Sequence, residues 1–130
     1  MASYLDTSAL VKLVVAEAET AALRAWLAET DRQPVSCDLA RAELLRAVRR
    51  AAPDRVVRAR EVLDAVTLLE VTAAIFEAAG RLDPSVRRTL DAVHLAAALD
   101  LGDDLDCIVT YEDRLAEAAR ANGVAVISPT

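Results

Sequence analysis

The sequence predicts an α/β fold, a single domain with a central, mostly parallel sheet of about five short strands flanked by helices. Short apolar runs bounded by turn residues alternate with longer stretches whose apolar residues recur at helical spacing. That order is expected of parallel strands joined by crossover helices. The 130 residues carry no linker, internal repeat or low-complexity segment, so residues 1–130 read as one domain with room for its own core. The chain is 55% hydrophobic but only 3% aromatic, so that core is aliphatic and alanine-rich, which suits helices lying close on a small sheet better than a β-sandwich.

The elements follow in chain order. Ser3-Tyr4-Leu5 is a short strand that runs into Asp6, and Thr7 or Ser8 is placed to cap a helix from Ala9 to about Ala16. A second helix runs from about Glu19 to Thr30, with Ala22, Leu23, Trp26 and Leu27 on one face. The turn Asp31-Arg32-Gln33-Pro34 leads into a brief strand, Val35-Ser36-Cys37. Asp38 is expected to cap a helix to about Ala51 with Ala40, Leu44, Ala47 and Val48 facing inward. Pro53-Asp54 opens another through roughly Val66, with Val56, Val57, Leu63 and Val66 inward. Thr67 to Val71 is the third strand, and Thr72 caps a helix to about Leu82 that Asp83-Pro84 interrupts. Thr89 begins a helix with Leu90, Val93, Ala97 and Leu101 on its buried side, closed at Gly102. Cys107 to Thr110 is the fourth strand, wholly apolar until its end, as a doubly covered parallel strand should be. A helix from Asp113 to Asn122 ends at Gly123, and Val124 to Ile127 is the last strand.

Charge and composition exclude several classes. No run approaches the ~18 apolar residues that span a bilayer, and the first residues lack the basic region and cleavage site of a signal peptide, so a soluble cytoplasmic protein is expected. Cys37 and Cys107 are too few for a disulfide framework, have no metal-ligand spacing and read as small buried apolar residues. The single histidine, His94, reads as a packed or half-exposed helical residue rather than a ligand. A net charge of −6 argues against broad electrostatic binding of nucleic acid, but the charge is uneven. Arginines 41, 46, 49, 50, 55, 58 and 60 face only Glu43 and Asp54 in their segment, whereas Asp100 to Glu117 holds seven acids against Arg114. One region is suited to phosphates and the other to cations.

Four places bring a carboxylate toward what should be one edge of the sheet. Asp6 ends the first strand, where ligands of α/β proteins bind. Glu43 lies about one and a half turns into the helix after the second strand, ~8 Å along it. Asp91 lies in the first turn of the Thr89 helix, and Glu112 and Asp113 follow Thr110. Taken singly, Asp6 is a cap or turn residue, and Asp91, Glu112 and Asp113 suit the positive ends of helix dipoles. Glu43 is harder to read that way, because Leu39, Ala40, Leu44 and Ala47 make a semi-apolar setting where an unpaired carboxylate is costly. Converging carboxylates repel, so either their pKa values rise or a cation neutralises them. All-oxygen donors select Mg²⁺ or Mn²⁺, and such a cluster serves metal-assisted phosphodiester hydrolysis.

The chain resembles a PIN-domain ribonuclease of the VapC type, the toxin of type II toxin–antitoxin pairs. Four pieces carry the resemblance: Tyr4-Leu5-Asp6-Thr7-Ser8-Ala9-Leu10-Val11-Lys12-Leu13; Ser36 through Ala40-Arg41-Ala42-Glu43-Leu44; Leu90-Asp91-Ala92-Val93-His94-Leu95-Ala96-Ala97-Ala98; and Val109-Thr110-Tyr111-Glu112-Asp113-Arg114-Leu115-Ala116-Glu117-Ala118-Ala119 with Gly123-Val124 and Pro129. The resemblance implies a PIN domain over residues 1–130 in which Asp6, Glu43 and Asp91 are catalytic acids binding Mg²⁺ or Mn²⁺. It implies an RNA substrate cut by a metal-activated water, a cognate antitoxin that blocks the site, and a homodimer. The family usually has Asp two residues after the threonine; here that position is Glu112, with Asp113 one further on, so either Glu112 or, after a small shift of the turn, Asp113 is the fourth catalytic, metal-binding acid, and alignment favours Glu112. Thr7 and Thr110 are then expected to hydrogen-bond the acids or the ion. Leu10, Val14 and Trp26 are candidates for the antitoxin or dimer surface, and sequence does not separate them from core.

Other classes fit less well. A receiver-like signalling domain needs a lysine at a late strand end, and the only lysine is Lys12. A phosphatase of the Asp-x-Asp type needs a second aspartate that Asp6-Thr7-Ser8 lacks. A PIN fold that has lost catalysis and serves only as a binding module is the remaining alternative.

Overall fold

The computed structural model describes residues 1–83, 86 and 88–130. Among them β1 (Ala2–Leu5), β2 (Gln33–Cys37), β3 (Thr67–Leu69), β4 (Leu105–Val109) and β5 (Val126–Ile127) form one sheet in the order β3-β2-β1-β4-β5. All four pairings are parallel. The helices are α1 (Thr7–Val14), α2 (Thr20–Ala28), α3 (Leu39–Ala51), α4 (Val56–Ala65), α5 (Ala73–Arg81), α6 (Thr89–Leu99) and α7 (Asp113–Ala121). The chain steps outward from β1 through β2 to β3, then returns past β1 to lay down β4 and β5. This reversal makes the carboxyl ends of β1 and β4 a topological switch point, where an α/β sheet opens a crevice.

Side chains alternate across the sheet and build two cores. Tyr4, Val35, Cys37 and Ile108 are buried with residues of α5, α6 and α7, while Leu5, Cys107 and Val109 are buried with residues of α1 to α4. Helix α6 is buried all round from Ala92 to Ala98, as an almost wholly apolar helix must be. Alanine makes this possible, since its small side chain lets backbones approach closely.

Several expectations are corrected in detail. Asp6, not Thr7 or Ser8, caps α1: its carboxylate accepts the Ala9 N–H at 3.1 Å, and the helix starts at Thr7 and ends at Val14. Asp38 precedes α3 but makes no capping hydrogen bond, because its side chain takes the guanidinium of Arg41 at 3.0 Å instead. Thr72 caps α5 through Ile75 as expected. Pro53 opens a short 3₁₀ turn before α4, whose buried stripe takes in Ala59, Val62 and Leu63 and leaves Val57 71% exposed. Leu90 is likewise 48% exposed rather than buried. Helix α6 ends at Leu99, and Gly102 (φ +57°) starts a separate 3₁₀ turn instead of closing the helix. Gly123 (φ +76°) follows α7, where only glycine adopts this left-handed backbone without strain. The outer strands are shorter than predicted, β3 stopping at Leu69 and β5 starting at Val126. Leu10 and Val14 are core residues rather than surface candidates, and Trp26 is half-buried with Arg32 stacked 3.8 Å over its ring. The Pro84 half of the predicted helix break lies outside the described residues.

Candidate active site

A cavity of about 560 Å³ opens at the switch point. Its wall carries Asp6, Thr7 and Ser8 after β1, Glu43 from α3, Asp91 and His94 from α6, and Glu112 after β4. Four of the five acids singled out from sequence therefore reach one place from four separate segments. Asp113, the first residue of α7, is exposed and does not line the cavity.

Asp6 is 3% exposed and held by three donors. Oδ1 accepts from the Ser8 hydroxyl at 2.7 Å and the Ala9 N–H at 3.1 Å, and Oδ2 accepts from Thr110 at 2.7 Å. Burial nevertheless wins: it raises the Asp6 pKa above its ordinary value despite the three hydrogen bonds and the attraction of His94. The Ser8 hydroxyl also accepts the Tyr111 N–H at 2.9 Å, which ties the end of β1 to the turn after β4. The Glu112 N–H donates to Thr110 Oγ1 at 3.1 Å, so Thr110 connects two of the acids.

The Tyr111-Glu112 corner is pinned from behind. Lys12 is buried beside Glu19 at 2.8 Å and lies 4.7 Å over the Tyr111 ring, and the Tyr111 hydroxyl donates to the Pro129 carbonyl at 2.8 Å. Lys12 does not line the cavity, which removes the lysine that a receiver-like site requires.

Glu43 is held by two donors on the same oxygen, Thr7 Oγ1 at 2.8 Å and His94 Nε2 at 2.6 Å. Burial pushes its pKa up, but the hydrogen bond and charge of His94, with the Thr7 hydroxyl, bring it below its ordinary value. His94 is 3% exposed, and its Nδ1 faces the Tyr4 hydroxyl at 2.7 Å. Burial works against the imidazolium, yet Cys37 and Glu43 together raise the His94 pKa. Asp91 is shifted up by burial first, with Arg88 and His94 opposing and the like charges of Glu112 and Glu43 adding to it. These mutual effects express the crowding of carboxylates expected from the sequence.

His94, expected from sequence as a packed or half-exposed helical residue, lines the cavity, and Tyr4, for which sequence suggests no role, stands behind it. The spacing held a signal for both. His94 is three residues after Asp91 on a helix, so the two share a face, and Tyr4 is two residues before Asp6 on a strand.

A hard divalent cation suits these donors in charge and in oxygen chemistry. Asp6, Glu43, Asp91 and Glu112 are the residues that would hold it. As the side chains stand, no three His, Cys, Asp or Glu among the described residues lie close enough together to grip an ion. The convergence of four carboxylates on one cavity is the observation in favour of a cation, since a bound ion would relieve their mutual repulsion.

The family model for the PIN domain matches residues 3–121. The chain belongs to the PIN-domain family. This PIN domain is 46% identical to ribonuclease VapC46 of Mycobacterium tuberculosis strain H37Rv, over 99% of this chain and 98% of that protein. It is 40% identical to ribonuclease VapC47 of strain CDC 1551, over 97% and 96% of the two chains. Among solved structures, the M. tuberculosis VapC20 toxin, described as cleaving the sarcin-ricin loop, superposes with a TM-score of 0.79 at 18% identity, covering 99% of this chain and 100% of that one. A toxin–antitoxin complex from Klebsiella pneumoniae gives 0.73 at 19% identity, covering 98% of each chain. The PIN domain is thus of the VapC type by sequence, and its five-stranded parallel sheet is the fold those toxin structures share. Among its described residues no helix is long and apolar enough to cross a membrane.

Proposed function

We propose that this PIN domain is a Mg²⁺- or Mn²⁺-dependent endoribonuclease toxin that hydrolyses RNA and is inhibited by a cognate antitoxin. The supporting observation is the delivery of Asp6, Glu43, Asp91 and Glu112 from four separate segments to one cavity. Asp6 and Asp91 bind the ion, Glu43 binds it or orients the attacking water, and Glu112 completes the set. The ion, when bound, lowers the pKa of water toward ~7 and stabilises charge on the leaving oxygen. The protein's own part is to hold the acids still. Ser8, Ala9 and Thr110 fix Asp6, and Thr7 fixes Glu43.

Arg46, Arg50 and Arg88 line the same cavity. Arg46 and Arg50 make no ion pair with the described residues, which leaves them for phosphates of a single strand flanking the cut. Replacing both with alanine is expected to weaken RNA binding about tenfold and to shrink the slope of log affinity against log salt by about 1.4, at ~0.7 per phosphate contact. Filter binding to the cleavage-dead Asp6→Asn protein across a salt series measures this. An unchanged slope would remove both arginines from the RNA path.

The antitoxin and a second copy of this chain are proposed partners, as the VapC family supports. With Leu10 and Val14 buried, the exposed apolar side chains available for them include Val57, Phe76 and Leu90, the last at the cavity rim.

The direct test of activity is cleavage of single-stranded RNA by the purified chain with Mg²⁺ or Mn²⁺, together with metal titration by calorimetry. Cleavage that disappears with chelator and returns with either ion is expected. A folded protein that takes up no ion and cuts no RNA would instead be a binding module.

A further inference from the structure

We infer that His94, anchored by Tyr4, is a positioning residue that sets Glu43 in the cavity and fixes its spacing from Asp6 and Asp91. The inference rests on the nuclease reading for its functional consequence, though not for the contact itself.

His94 is the one polar residue of the wholly buried Ala92–Ala98 run of α6. An imidazole there is costly unless both ring nitrogens find partners. Both do: Nε2 lies 2.6 Å from Glu43 Oε1, and Nδ1 lies 2.7 Å from the Tyr4 hydroxyl and 3.8 Å from Cys37 Sγ. The arrangement holds in either charge state of the ring. In the neutral ring Nε2–H donates to the carboxylate and the tyrosine hydroxyl donates to Nδ1. In the charged ring both nitrogens donate, and the tyrosine oxygen accepts. Nε2 carries the proton toward Glu43 both ways.

Thr7 donates to the same Glu43 oxygen at 2.8 Å, so Oε1 is fixed by two donors while Oε2 takes no hydrogen bond from the described residues. The result is a carboxylate with one oxygen anchored and the other free for work. The hydrogen-bonded path runs from Tyr4 in β1 through His94 in α6 to Glu43 in α3 and Thr7 in α1. Asp6 directly follows the strand that carries Tyr4, and Asp91 is one helical turn before His94. One path therefore ties together the elements that carry three of the acids. Groups that orient a metal-binding carboxylate in this way typically contribute 10–100-fold to metal affinity or activity.

The test begins on metal-free protein without RNA. His94 is the only histidine, so its imidazole nitrogens are the only ones in a ¹⁵N spectrum. A protonated, slowly exchanging Nε2 whose resonance moves in the Glu43→Gln variant is expected. An unprotonated Nε2, or one indifferent to that change, would overturn the inference. Mn²⁺ titration then compares variants. His94→Gln keeps an N–H donor near the Nε2 position and should stay within about threefold of wild type, whereas His94→Asn is too short and should lose about tenfold or more. Tyr4→Phe, which retains the ring, should fall between them. In cleavage assays the loss should appear in kcat, with KM for RNA unchanged. Equal Mn²⁺ affinity in all three variants would overturn the inference, and if His94→Asn does not fold, Tyr4→Phe and the wild-type spectrum still decide it. A wild type that binds no Mn²⁺ overturns the nuclease reading instead, and the imidazole spectrum still reports on the Glu43 contact.

Discussion

Asp6→Asn is expected to abolish metal-dependent RNA cleavage, by at least ~10³-fold or about 4 kcal/mol of transition-state stabilisation, and to leave the protein more stable. The two effects share a cause. The Asp6 carboxylate is buried at the end of the central strand, and its raised pKa means that the folded protein holds the ionised form at a cost. Asparagine keeps an oxygen for Ser8 and Ala9 without the charge and turns its NH2 toward Thr110, whose hydroxyl then accepts instead of donating. The expected gain is about 1 kcal/mol, roughly 4 °C in melting temperature for a domain of this size. The sign follows from linkage. A carboxyl whose folded pKa lies above its unfolded value near ~4 withdraws stability as pH rises through that interval. The gap between variant and metal-free wild type should therefore be widest at neutral pH and close as pH falls toward 4. Denaturant unfolding across that range measures it, and a variant less stable than wild type at pH 7 would contradict the account of Asp6.

Glu112→Gln should lower cleavage about 10–100-fold, while Asp113→Asn should stay within about threefold of wild type. Glu112 lines the cavity, and its charge contributes to raising the Asp91 pKa. Asp113 opens α7 on the exposed side, where a carboxylate interacts favourably with the helix dipole for about 0.5 kcal/mol and touches nothing in the cavity. Single-turnover rates of the two variants under saturating Mn²⁺ decide between them. The reverse ranking would mean that the turn after Thr110 rearranges when the ion binds.

Much of this was legible in the chain because local rules govern it. The aliphatic alternation of strands and helices led directly to the parallel sheet, and each acid lies near a strand end or helix start that its neighbours define. Errors gathered where a helix's rotation is set by what it packs against. Val57 is expected on an inward stripe, but α4 buries Ala59, Val62 and Leu63 and leaves Val57 outside, while Leu90 lies at the cavity rim just before the wholly buried Ala92–Ala98 run. Leu10 and Val14 looked available to a partner until α3 and α4 covered them.

The sequence alone determined the class of fold, the residue types able to hold a divalent cation, and the family. Those follow from periodicity and from motifs read over a few residues at a time. Only tertiary structure decided that Asp6 both caps a helix and lines the cavity, that Glu112 rather than Asp113 lines it, and that His94 belongs to the site. His94 and Tyr4 are separated by 90 positions and His94 and Glu43 by 51. The strength of those hydrogen bonds depends on a dry setting that no local pattern encodes, because it is made by packing two helical layers against the sheet.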